Sequence, residues 1–371
     1  MGLANGNPVK PLHTLGLSKL TDRTEVTPVF NMEPYDLHHL ARIGMLGSVP
    51  VGLLSGKEIL VRNASGTTPL HAIARHGGLK RIPADVFTAE NLTLRNDAGY
   101  TLLHHAAESG QLQDLPVAAL EEKFLSQASN SGYTVFHVAA AYGHLGQIPD
   151  RLLTTPRVLS KTHLGNTLLH EAAEAGTLDR FPQRFFTLEN FLARNVGGET
   201  VFHVAAFNGH LDQVPAALLS QEAYLQKTLS DETVLHVAAL SGHLEQVPTS
   251  LLTGENLRRV SKTGFTVIHA AAKMGELSRI PPEQIVLDLL LLRNENGDTA
   301  LHLAAQHGHL DHVPSFLLSE EVLNLSNHTG ITIRRMAISH GFALQLPKPF
   351  RPKSLHALGN FFGRLSSIWS L

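Results

Sequence analysis

One period governs this chain. Steps of 33 residues from His203 reach His38, His71, His104, His137, His170, His236, His269 and His302 without an insertion, and one further step lands on Arg335. Other columns keep the same register. Six residues after each motif position stands Gly, from Gly44 to Gly341, and twelve after stands Pro, from Pro50 to Pro347. Three before stands Thr in every unit except the first, which has Tyr35. A unit of this length cannot bury an apolar face alone, so the pattern demands neighbours stacked in a line.

Each unit predicts its own local structure. In "ETVFHVAAFNGHLDQVP" (199–215), Thr200 is placed to cap a helix over Val201–Asn208 by accepting from free amides of the first turn. Ala205 and Ala206 are small enough for neighbouring helices to come close, and Gly209 ends the helix in the left-handed region. Upstream, Gly198 recurs as Gly66, Gly99, Gly132, Gly165, Gly264, Gly297 and Gly330. Asn often stands three residues earlier, as in Asn63, Asn96, Asn195, Asn294 and Asn327, which is turn chemistry. Pro215 and its equivalents break any long second helix. Ser or Thr five residues later (Ser55, Thr88, Thr154, Thr187, Ser220, Thr253, Ser319) supplies a fresh cap, so two short helical pieces are expected on the outer side.

"TPLHAIARHGG" (68–78), "TVLHVAALSGHL" (233–244) and "TALHLAAQHGHL" (299–310) resemble the ankyrin repeat, and the resemblance covers roughly residues 33–347. It implies an all-α, ankyrin-like helical solenoid of about ten units joined by hairpin-like turns. The proline departs from the family pattern, in which the second helix is long and continuous. The resemblance also implies a non-catalytic scaffold that binds another protein through finger tips and the concave face of the inner helices. Residues 1–32 are expected to form an N-terminal cap or arm. Residues 348–371 are expected to form a Pro-rich linker and a capping helix on which Leu355, Leu358, Phe362, Leu365 and Trp369 share one face.

Composition narrows the function. With no cysteine, disulfides, thiolate nucleophiles and Cys-ligated metals are excluded. A formal net charge of -2 leaves no overall footprint for nucleic acid. Neither a signal peptide nor an 18-residue apolar run is expected, and the localisation read from this is cytoplasmic. No phosphate loop, nucleophile elbow, zincin helix or dinucleotide fingerprint occurs, so neither enzyme activity, nor a cofactor, nor a small-molecule substrate is expected. Glu171 and Glu174 in "HEAAEAG" (170–176) fall in register, as acidic surface positions of an ordinary inner helix.

The 23 histidines are the chain's most conspicuous excess. His71, His104, His137, His170, His203, His236, His269 and His302 occupy the motif column, where a neutral imidazole offers one donor and one acceptor to turn backbone and a hydroxyl. His307 and His312 are the remaining metal candidates, since a zinc site needs three or four converging ligands. A His-rich metal-binding protein and peripheral membrane attachment through the C-terminal helix are the alternatives to the scaffold. For the scaffold, the least constrained inner-helix positions are four and five after the motif. They bring forward Tyr142, Phe207, Leu240 and Met274 as apolar contact groups, Lys273 beside them, and a basic region of Arg42, Arg75 and His76.

Overall fold

The computed structural model describes residues 36–352. The expected N-terminal arm (1–32) and the helix over 354–371 lie outside the described residues. The chain forms two compact units divided after Val201. Ten inner helices recur along it. The first five are α1 (Leu37–Arg42), α2 (Pro69–His76), α3 (Leu102–Ser109), α4 (Val135–Ala141) and α5 (Leu168–Ala175). They are followed by α6 (Val201–Asn208), α7 (Val234–Ser241), α8 (Val267–Met274), α9 (Ala300–His307) and α10 (Ile333–Ser339). In the first unit α1 to α5 pack each on the next, and in the second so do α7 to α10. This is the all-α repeat solenoid that the period implies.

The packing follows from two columns. One residue before the motif, Leu70, Leu103, Phe136 and Leu169 are at most 1% exposed in the first unit, as are Leu235, Ile268 and Leu301 in the second. Each such burial contributes about 1.5–3 kcal/mol. Three residues after the motif, Ala74, Ala107, Ala140, Ala173, Ala239, Ala272 and Ala305 are equally buried, and a methyl group is all the approach of the next helix allows. The last repeat departs in both columns, with Arg334 and Ile338. Arg334 pairs with Glu320 at 3.7 Å and lies 5.3 Å from the centre of the Phe350 ring, so α10 carries charge where the other helices bury hydrocarbon.

The outer segment differs from expectation. It holds three short pieces rather than two: in one repeat Leu79–Arg81, Ala84–Val86 and Ala89–Thr93, in another Leu244–Gln246, Thr249–Leu251 and Gly254–Leu257. The first two are 3-10 turns and the third is α-helical. The added piece is the turn between the glycine and the proline, anchored by a buried leucine such as Leu79 or Leu244. Proline separates the two 3-10 turns. Pro83 and Pro248 cap the second turn at φ -57 and -55, where no amide donor is required, and the preceding Ile82 and Val247 are extended. The third piece opens on the expected hydroxyl caps: Thr88, Thr187, Ser220, Thr253 and Ser319 each accept from the amide three residues on.

Fingers project between the outer segment and the next inner helix. Asn63 shows the chemistry: its side-chain oxygen accepts from the amides of Ser65 and Thr67, both at 3.0 Å. Successive fingers are then tied by one backbone bond. In the first unit Asp97, Asn130, His163 and Val196 donate to Ser65, Ala98, Ser131 and Leu164; in the second Lys262, Glu295 and His328 donate to Ser230, Thr263 and Asn296. The fingers of the second unit also close through isolated bridges such as Lys227 with Thr233 and Arg293 with Thr299.

Candidate partner-binding site

From the second repeat to the ninth the motif histidines are buried staples. Nδ1 of His71, His104, His137, His170, His236, His269 and His302 accepts from the backbone amide of its own capping threonine at 3.1–3.3 Å. Because Nδ1 is an acceptor, Nε2 carries the proton and donates onward. His71 reaches Leu94 carbonyl at 3.0 Å, His137 Ser160 at 3.0 Å and His236 Arg259 at 2.9 Å, each 23 residues on. His104, His170, His203 and His302 reach the carbonyls of Tyr133, Glu199, Glu232 and Ile331, 29 residues on. Burial is the main reason these imidazoles stay neutral: it lowers His71, His137 and His236 to about 4 and His104 to about 3, and it lowers His269 and His302 in the same direction.

A second polar column also staples repeats. Gln147 donates to Gly110 carbonyl at 2.8 Å and accepts from Leu112 amide at 3.0 Å. Gln246 repeats this on Gly209 and Leu211, and Gln345 on Gly308 and Leu310. His312 takes the place of that glutamine, with Nδ1 2.6 Å from Gly275 carbonyl. The ring of His309 lies over Gly275, where a Cβ would come within 2.8 Å of it. His307 is exposed on α9, lowered by partial burial and then by the Lys273 charge. Among the described residues no group of three or more His, Asp or Glu side chains is placed to hold a metal ion.

The groups picked for partner contact fall within each unit as follows. In the first, Arg42 and His76 are exposed, and Arg75 and Tyr142 are half-buried. Arg75 is not a free cation, since its Nε lies 3.5 Å from Glu108. Glu108 also meets His105 Nδ1 at 3.2 Å and accepts from Tyr142 hydroxyl at 3.4 Å. Burial pushes the Glu108 carboxyl up, but these neighbours outweigh it and hold it below the ordinary value. In the second unit Phe207, Leu240 and Lys273 are half-buried and Met274 is 41% exposed. Partial burial lowers the Lys273 ammonium.

Glu171 requires a correction. It is not an acidic surface position: it is fully buried, and neither carboxyl oxygen makes a hydrogen bond of good geometry. Burial, followed by the charge of Glu174, pushes it up to about 8, while Asn166 and Tyr133 act more weakly in the opposite sense. Tyr133 is itself 4% exposed and raised, first by burial and then by Glu171. The available signal was positional. The residue after the motif histidine is Ala, Val, Leu or Met in seven of the ten repeats, so a carboxylate there enters a hydrocarbon column.

Among the described residues no helix is long and apolar enough to cross a membrane. No curated protein matches the sequence. Family models do: residues 202–280 match Ankyrin repeats (3 copies) and residues 296–328 match Ankyrin repeat. Such repeats generally serve as protein-interaction modules and are typically non-catalytic. With stacked helices, buried Thr–His staples and these matches, residues 202–280 and 296–328 of the chain are ankyrin repeats.

Proposed function

We propose that this chain is a non-catalytic scaffold of the cytoplasm that binds another protein through the inner-helix positions and finger tips of its repeats. The observation that supports it best is the half-buried or exposed state of large side chains four and five residues after the motif, on inner helices whose columns one before and three after the motif are closed. Tyr142 supplies this group in the first unit; Phe207, Leu240 and Met274 supply it in the second. Side chains of this kind lose water on docking without first having to leave a core, which is how interface anchors contribute affinity. Lys273 beside Met274, and Arg42 with His76 in the first unit, provide the polar rim.

Quantitative affinity capture with the full chain as bait tests this reading. Leu240→Ala combined with Met274→Ala removes two contact groups without touching a staple. The pair is expected to lower recovery of a specific partner at least tenfold at unchanged melting temperature. Unchanged recovery would sink the assignment of this face.

A further inference from the structure

The two units differ in the charge they place on their inner helices. In the first, the positions one, four and five after the motif hold both signs, and Arg75 there meets Glu108 at 3.5 Å. In the second, from α6 to α10, none of these positions holds Asp or Glu, and the one permanent cation is Lys273. Its side chain is half-buried, yet it makes no ion pair or hydrogen bond with any described residue. Glu276, three residues on, accepts instead from the Leu244 amide at 3.1 Å. An ammonium that has shed part of its water without gaining a partner is unfavourable, and a neutral side chain of the same length would avoid the cost. Such a cation is completed by an anion from outside.

The neighbours specify the chemistry. His307 is exposed on α9, which packs on α8, and neither of its ring nitrogens bonds a described residue. A neutral imidazole there keeps one N–H to donate. Partial burial, then the charges of Lys273, His309 and His340, lower it, and every one of those neighbours is a base. One ammonium and one imidazole N–H match the two oxygens and single charge of a carboxylate. A doubly charged phosphate would exceed the one permanent cation. Beside them lie Met274, 41% exposed on α8, and Leu240, half-buried on α7, which packs on α8. Packed helices stand about 10 Å apart, a distance that about three residues of extended chain span. We propose that the face of α7 to α9 receives an Asp or Glu side chain of the protein partner on Lys273 and His307, with an apolar residue of the same partner segment, about three positions away, lying on Leu240 and Met274. The proposal rests on the scaffold reading and deepens it.

The probe is a random twelve-residue peptide library displayed on phage and selected on the full chain. Enriched peptides are then synthesised and titrated by fluorescence polarisation against the unaltered protein, Lys273→Met and His307→Ala. They are expected to carry Asp or Glu, with an apolar residue about three positions away. Lys273→Met keeps the hydrocarbon stem and removes the charge. It should raise Kd about tenfold, as should changing the acidic residue of the peptide to its amide, and the two together should raise it no further. His307→Ala, at an exposed position that leaves the core intact, should raise Kd about threefold even if Lys273→Met compromises folding. Binding peptides without an acidic residue, or a Kd that moves less than about twofold in either folded variant, overturn the carboxylate seat and leave the scaffold standing. No enrichment at all overturns both.

Discussion

A single imidazole in this chain meets three demands: it completes the cap of its own helix, fills a buried site, and bonds a carbonyl of a later turn. It does so only while neutral, and this fixes a pH dependence. The folded-state values near 3 to 4 of His71, His104, His137 and His236 lie below the ordinary 6.5. Their stabilisation is therefore complete above pH 6.5 and is lost as pH falls toward 4. Each group contributes a slope of about 1.4 kcal/mol per pH unit inside that window. Glu171 acts in the opposite sense. Its folded value is raised from 4.5 to about 8, so its contribution is present below 4.5 and lost as pH rises through 8. Four groups outweigh one, so the urea midpoint is expected to drop between pH 7 and pH 5, and His104→Gln should flatten that drop by about one proton. A midpoint independent of pH over this range would contradict the neutral-staple account. Glu171→Leu restores the hydrocarbon of its column and is expected to stabilise by about 1–3 kcal/mol in urea titration, by removing an unsatisfied buried acid. Asp231 is the one described non-glycine residue at positive φ (60°), at the turn position that other repeats give to glycine. Asp231→Gly should raise stability by about 0.5–1 kcal/mol, read as a shift in thermal midpoint.

Among the elements, the inner helix was the most legible in the sequence and the outer segment the least. Thr, Gly and the small alanines act through the backbone of their own helix, so a fixed register was enough to place α1 to α10. The 3-10 turn before each proline was missed because three residues carry no periodic signal, and its anchor is one leucine packed by tertiary structure. The role of Gln147, Gln246 and Gln345 was also missed, although the column recurs, because a polar residue after a cap reads as solvated until the neighbouring carbonyl is in place. The Asn three residues after a Thr cap is similar: Asn91, Asn190 and Asn256 donate to the carbonyls of Val86, Phe185 and Leu251, closing the middle turn onto the third. Glu171 was misread for a related reason, since an acidic residue on a helix is taken as exposed unless the side chains covering it are known. These staples can be weighed one at a time. Gln246→Ala strips partners from Gly209 carbonyl and Leu211 amide, and is expected to cost about 1–3 kcal/mol in equilibrium denaturation. A cost near zero would mean that water takes over both bonds.

Taken whole, the molecule spends its regular columns on stacking and leaves a few irregular ones for recognition. The motif histidines, cap glycines and turn asparagines recur for structural reasons, so none of them distinguishes this chain from another array of the same design. What is particular to it lies four and five residues after the motif and, in the first unit, at Glu171. The last repeat is particular in another way: Arg334 and Ile338 replace the large apolar and small alanine columns. The account's central claim is that a protein partner docks on the inner-helix positions. Affinity capture followed by quantitative mass spectrometry, with the unaltered chain beside Tyr142→Ala combined with Phe207→Ala, tests it most directly. The claim predicts that a specific partner retained by the unaltered chain falls at least tenfold with the double variant, at matched thermal stability. Equal recovery by both proteins would contradict it.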